Sequence, residues 1–427
     1  MATDVDVQYF SHLNGLTLGN NWGDLIRLLD KALVTGIDFT QITAASIDEQ
    51  GDVHITLYAA HNAMLFQVVE LTGFAPASFN QKYRIKGVPN TTQLILKPHT
   101  AIAETSITTV GAGRLASLGY EIIFRDANDV KRVYRAKNPT SQHPFIRVDE
   151  SLTSPDGTTG LYTSTYAKSA MVGLLEHMEH IDDFNNPDVL QLPFSSADPA
   201  RNWKINGTGT GVFRGWSKWY WARSGSALTA NNIADSASPL AGDRQFTIIG
   251  DTDCFYFLRA LTPDNASKTM SGCGIYDSNL DTSVIPSWFF MGIFADIAAS
   301  TAMRPDNFHG SFPFTHTALA QGTIVIPKYN VVNRISNHVN ASGVLPDTSS
   351  GFSEIYNASA TAALEIPIYD ADKFLRGTMK YINYAGTNLK NTSQTTPIPS
   401  GGAMYVAERV LGIGGNCGFY FYLGEIE

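Results

Sequence analysis

The sequence predicts a mainly β protein: an N-terminal arm with one helix, a small β-barrel module, a larger β-sandwich-like domain and a β-rich C-terminal extension. Three observations carry this. Aromatic residues are plentiful (Phe 23, Tyr 18, Trp 6) and Gly is common at 36, and together with many Thr, Ser and Asn they favour short strands joined by turns. Apolar residues alternate with polar ones over short stretches separated by turn chemistry. Clear helical spacing occurs in residues 20–34, NNWGDLIRLLDKALV.

In that stretch Leu25, Leu28, Leu29, Ala32 and Leu33 recur three and four apart and form one apolar face. Asn21 is the expected cap and Gly36 the expected stop. Residues 1–37 therefore read as an arm with a helix, and Leu25, Leu28, Leu29 and Leu33 as its protein-interface residues, buried against a partner or against the chain's own barrel.

The next unit spans 38–103. Val53, Ile55 and Leu57 alternate with Asp52, His54 and Thr56, a half-buried strand. FQVVEL, KYRIKGV and TQLILK follow, separated by TGFAPASFN and GVPNT. So many short strands in so little chain suit a small closed or nearly closed barrel. KPHTAIAETSITT reads as its exit linker.

From 104 to 330 the pattern is longer and looser. LGYEIIFRDANDVKRVYRA reads as a hairpin turning at Asp126–Asp129, and PFIRVDES as a strand. YAKSAMVGLLEHMEHIDDF fits either a strand or a helix. GVFRGWSKWYWARS reads as an aromatic strand pair, RQFTIIGDTDCFYFLRAL as two strands around Gly250–Asp253, and SWFFMGIFADI as a buried strand. From 331 to 427, DKFLRGTMKYINYAGT and the final AMYVAERVLGIGGNCGFYFYLGEIE read as closing strands, with NLKNTSQTTPIP as an exposed loop between them.

Composition bounds the function. The 427 residues, 44% hydrophobic and 16% charged, describe a globular chain able to bury a large core. The net charge is −9 and no Lys/Arg block occurs, which argues against nucleic-acid binding. No apolar run reaches the ~20 residues that span a bilayer, and MATDVDVQYF is too acidic for a secretory leader. N-x-S/T sequons such as Asn206 and Asn391 then read as ordinary polar loops. Cys254, Cys273 and Cys417 are far apart and odd in number, so they read as free thiols from a reducing cytoplasm. No cofactor is expected.

Candidate chemistry is sparse. On a helix, His177 and His180 of HMEH would share a face and could hold a metal, with Glu176, Glu179, Asp182 and Asp183 nearby. The order is not HExxH and no third ligand stands at a diagnostic spacing, so a solvated polar edge is the reading. Asp188 and Asp198 are two carboxylates of the type that work on sugars when paired, but the sequence does not fix their separation and catalysis is not the favoured reading. Trp216, Trp219 and Trp221 are the candidate glycan-binding face, because alternation places Trp219 and Trp221 together and rings stack on sugars. The favoured reading is that these rings fill a core or a subunit interface, both of which take large rings. GIGGN at 412–416 has no following helix and reads as a turn. No nucleophile elbow or phosphate-binding loop is present.

The order of segments resembles a family of tailed-bacteriophage virion proteins encoded among tail and baseplate genes. The resemblance runs through GLTLGNNWGDLIRLLDKALVTGIDF, the turn Ala60-His61-Asn62, QVVELTG and NTTQLILK. It continues through LGYEIIFRDANDVKRVYRAKNP, PFIRVDES, WYWARSG, GDTDCFYFLRA, SWFFMGIFADI and Arg376-Gly377. It spans nearly the whole chain through loose motifs. Gly292–Asp296 lacks the family's tight Gly-Asp, and FYFYLGEIE matches its end in part. The resemblance implies a structural tail or baseplate protein, assembled in the host cytoplasm and resident in the virion. Its implied partners are other tail proteins and its own copies in a three- or six-fold ring, and it implies no catalytic residue. The competing readings are a receptor- or glycan-binding tail component using the Trp216–Trp221 face, and a polysaccharide hydrolase using Asp188, Asp198 or Glu179.

Overall fold

The computed structural model describes residues 4–154, 156–157, 160–208, 212–224, 238–263, 268–294, 324–344, 364–386, 392–412 and 415–426. The chain is mainly β, as its alternation and turn chemistry predict.

The helix begins later than the expected cap at Asn21 implies. It is α-helical over Asp24–Leu29 and widens to a π turn over Asp30–Thr35. Gly36 stops it with φ 70°, donating its N–H to the Lys31 carbonyl. The expected cap, Asn21, is replaced by a remote one: the Glu150 carboxylate accepts from the Gly23 N–H and, at 2.9 Å, from the Ile26 N–H. The carboxyl oxygens at this end satisfy N–H groups that a helix start leaves without partners.

Strands among the described residues form three large sheets and one small ribbon. The module sheet runs in the order Ile37–Asp38, Ala112–Leu115, Val68–Thr72, Lys82–Asn90, Gln93–Pro98, Val53–Leu57, Ile42–Ile47. It curls, yet no ladder joins its two end strands; it is a half-barrel. The expected exit linker is a return loop, because Ala112–Leu115 comes back to pair with Val68–Thr72.

A middle sheet runs Ile293–Phe294, Ser217–Ala222, Lys168–Leu175, Phe145–Asp149, Lys131–Ala136, Tyr120–Arg125, with Gln191–Leu192 also on Lys168–Leu175. Lys168–Leu175 is a strand buried at every position. Apolar contact on both faces erased its alternation, which is why a helix stayed open in the sequence. Ala295, Asp296 and Ile297, the end of the SWFFMGIFADI stretch, lie outside the described residues.

The large sheet starts at Gln8–Ser11 and continues through Phe246–Gly250, Cys254–Arg259, Thr269–Ile275, Trp288–Met291 and Ile324–Ile326. It then passes to Val339–Gly343, Leu364–Asp370, Leu375–Gly386, Gly415–Glu425, Ala403–Gly412 and Thr396–Ser400. Hydrogen bonding thus runs uninterrupted across the expected boundary at 331. Thr396–Ser400, expected within an exposed loop, is the last strand; Pro397 and Pro399 suit an edge, where a missing N–H leaves no ladder bond unmade.

Two cores result. One is shared by the helix (Leu25, Leu29, Leu33), the half-barrel (Val53, Ile85, Leu96), the middle sheet (Val172, Trp219, Trp221) and one face of the large sheet (Phe255, Phe257, Phe290). The large sheet folds back on itself around the other, which joins Tyr256, Phe289 and Met291 to Ile382, Val406, Phe419 and Phe421. The expected arm over 1–37 is therefore a structural layer. Gln8–Ser11 pairs with Thr247–Gly250, and the Gln8 side chain bonds Val68 and Ala116 of the module.

Candidate functional site

An open hollow among the described residues lies on the outer face of the folded-back sheet. Along Leu375–Gly386 the ladder with Leu364–Asp370 slips. Glu365 faces Asn383 and Pro367 faces Thr378, so Ile366 alone stands opposite Met379, Lys380, Tyr381 and Ile382. The surplus residues bulge, and Tyr381 takes a left-handed φ of 62° within the strand. Non-glycine residues hold that conformation only where the surroundings impose it.

Those surroundings are polar and specific. The Tyr381 hydroxyl donates to Asp251 Oδ2 at 2.6 Å. Asp251 Oδ1 accepts from the Asp253 and Cys254 N–H groups, fixing the turn after Gly250. Lys380 Nζ lies 2.6 Å from Asp253 Oδ2 and 3.5 Å from Asp277. His143 Nε2 meets Asp253 Oδ1 at 2.9 Å. The Tyr256 hydroxyl donates to the Lys380 carbonyl at 2.7 Å. The bulge is therefore pinned from the neighbouring strands and from the middle-sheet side of the molecule.

Electrostatics follow from these contacts. The His143 hydrogen bond, ahead of that from Lys380, holds the Asp253 carboxyl well below its ordinary range. Burial works against the Lys380 ammonium, but the bond to Asp253 and its charge outweigh burial and raise it. Burial pushes the Asp251 carboxyl up, against the Tyr381 bond. Asp253 and Lys380 are thus locked as an ion pair near neutral pH, and neither is poised to exchange a proton.

The hollow has a volume of about 820 Å³ and is lined by Asp277, Glu365, Thr378, Lys380, Tyr381, Asn383, Tyr405 and Tyr422, with Met379 at its floor. Tyr405 and Tyr422 sit opposite each other on paired strands, with rings 5.7 Å apart at 60°. The Tyr422 hydroxyl donates to Glu425 at 2.7 Å. The volume falls within the ~300–1,000 Å³ of small-ligand clefts. The arrangement offers ring faces, carboxylate acceptors, a carboxamide and a hydroxyl, which is the chemistry of binding.

The residues singled out in the sequence lie elsewhere. Leu25, Leu28, Leu29 and Leu33 are buried inside the chain's own core, so the face expected at an interface meets the half-barrel and the sheets. Trp219 and Trp221 are fully buried, which rules out the glycan face for these two rings and agrees with the core reading. Alternation does put them on one side, but that side faces the large sheet: Trp219 stacks on Phe290 and meets Phe255 edge-on, and its Nε1 donates to the Met291 carbonyl. Trp216 is half-buried against His338 and Arg201.

His177, Glu179 and His180 are exposed in a bend after the strand Lys168–Leu175, and Glu176 pairs with Arg334. Asp182 is taken by Lys131 and Arg147, and Asp183 accepts from the Glu179 N–H. Asp188 is exposed and Asp198 pairs with Lys204 at 2.6 Å. Among the described residues no group of three or more His, Cys, Asp or Glu is placed to hold a metal, and no helix is long and apolar enough to cross a membrane. Cys254 and Cys273 are buried free thiols, their titration pushed up by burial. Asn206 lies in a short strand, and Asn391 lies outside the described residues.

The hollow is not legible in the sequence, because its parts are scattered from 251 to 422 and a bulge has no period to detect. The one local signal was Gly250-Asp251-Thr252-Asp253, legible as a turn but not as an anchor. No family model matches the chain, and no curated protein matches it.

Proposed function

We propose that the chain is a structural component of a bacteriophage virion, placed in the tail or baseplate and without enzymatic activity of its own. It assembles through protein–protein interfaces with neighbouring tail proteins and with its own copies in a three- or six-fold ring. The reading rests on the family resemblance, which is carried by the order of segments in the sequence from the helical preface to the closing strands.

The structural observation that carries it is a cross-tie suited to a part that must keep its shape under force. The buried Arg84 guanidinium donates to the carbonyls of Asp4, Val7, Phe66 and Leu423, joining the first segment, the module and the last strand in one knot. Quantitative mass spectrometry of gradient-purified particles tests the reading. A small multiple of three or six copies per particle is expected. Hundreds of copies overturn the ring placement in favour of the capsid surface or the length of the tail, and absence from particles overturns the structural role.

A further inference from the structure

We propose that the hollow over the strand bulge is a carbohydrate site that takes an uncharged saccharide. The inference stands on the site's own geometry and does not need a place in a virion.

Three features select the ligand. Tyr405 and Tyr422 are partly exposed on the outer face, where successive residues alternate with the buried Met404, Val406, Phe421 and Leu423. Rings so placed can pack on the C–H face of a pyranose. Beside them, Glu365 is exposed, the Asp277 side chain is 67% exposed, and Asn383 offers both a donor and an acceptor. Carboxylates and carboxamides at a rim match vicinal hydroxyls, each of which donates and accepts.

Charge excludes the main alternatives. The cation in the lining, Lys380, is held by Asp253 and leans toward Asp277. With that charge met from below, Glu365, Asp277 and the neighbouring Glu425 leave the mouth acidic. A phosphate, an acidic sugar or a nucleic acid is repelled there.

The site is also built, not incidental. Tyr381 holds its left-handed backbone inside a strand because its hydroxyl is tied to Asp251, and the Lys380 carbonyl is tied to Tyr256. Bulges of this kind re-aim side chains beside functional sites. Here the bulge lifts Lys380 and Tyr381 while Glu365 and Asn383 stay in register on the far side.

The test is saturation-transfer difference NMR on the full chain with maltose, cellobiose, lactose and N,N′-diacetylchitobiose, and with sialyllactose and spermidine as charged probes. At least one neutral disaccharide is expected to bind with a Kd in the roughly millimolar range. Tyr405→Ala and Tyr422→Ala should each weaken it up to about tenfold, the upper value of one ring contact. Glu365→Gln, at an exposed position, keeps the test informative if a tyrosine variant fails to fold. Tyr58→Ala, at a tyrosine 78% exposed elsewhere, should change nothing. The proposal is overturned if no neutral disaccharide binds, if binding survives all three groove variants, or if sialyllactose or spermidine binds in preference.

Discussion

Removal of residues 1–37 should unfold the protein rather than trim it. The segment reads as an arm in the sequence, but its side chains are core. Leu25, Ile26, Leu28, Leu29 and Leu33 are each 0–3% exposed. At about 1.5–3 kcal/mol per large aliphatic side chain withdrawn from water, these five contribute roughly 8–15 kcal/mol, as much as the ~5–15 kcal/mol that separates a typical folded domain from its unfolded chain. The deletion also strips Gln8–Ser11 from the large sheet and exposes a raw edge at Phe246–Gly250. A milder probe is Leu29→Ala, expected to cost about 2–5 kcal/mol, because the helix lies between three sheets and cannot collapse into the gap. The assay is near-ultraviolet circular dichroism with temperature, alongside size-exclusion chromatography. The truncated chain should aggregate or lack a cooperative transition. A monodisperse 38–427 fragment melting within about 5 °C of the full chain would refute the reasoning and restore a free arm.

Three further outcomes follow from buried groups. Trp219→Ala should cost about 3–5 kcal/mol in urea titration, whereas a glycan-face tryptophan would leave the midpoint unchanged. Lys268→Met should cost about 3–5 kcal/mol by stranding Glu408, since the pair is 1% exposed on both sides and 2.8 Å apart; Lys268→Met with Glu408→Leu should recover most of that, and a double variant no better than the single would refute the account. Burial raises the Glu150 carboxyl from 4.5 to about 7, against the helix N–H bonds; the folded chain then holds a proton that the unfolded chain releases, so stability should fall by roughly 3 kcal/mol as pH rises across that window, and Glu150→Gln should flatten the slope in pH-dependent urea melts.

The parts of the fold that were legible are those where one face meets water. Val53, Ile55 and Leu57 are buried while His54 and Thr56 are half-exposed, and the period shows. Asp126–Asp129 is the turn its composition predicts: Asp126 Oδ1 accepts from the Val130 and Lys131 N–H groups, and Asp129 takes φ 61°. Legibility fails where both faces are covered. Ser217–Ala222 has Trp219 and Trp221 in one core and Tyr220 in another, so its rings look like an exposed platform until the second layer is known. The helix cap was hidden for a different reason, since Glu150 lies 124 positions from the N–H it serves. The hollow combines both difficulties, being built from remote strands and from a slip in register.

Arginine explains how such irregular joints are tolerated, and why the surface is acidic. Seven arginines (Arg84, Arg132, Arg147, Arg214, Arg244, Arg259 and Arg376) are among the largest fully buried side chains. Several serve backbone carbonyls in strands and loops: Arg214 reaches Ser151 and Ser169, Arg244 reaches Leu240, Gly242 and Leu261, and Arg259 reaches Tyr220, Phe257 and Thr269. A buried carbonyl without a partner costs about 1–3 kcal/mol, and one guanidinium, with five donors in a fixed fork, can satisfy several at once. Lysine has no such fork, so Arg→Lys is not a neutral exchange at these positions. Cations spent on the interior are also withheld from the surface. The chain carries −9 overall, and among the described residues more cations than carboxylates are buried. The same economy of positive charge leaves the mouth of the hollow to Asp277, Glu365 and Glu425, which is why its ligand should be rich in hydroxyls and free of anionic groups.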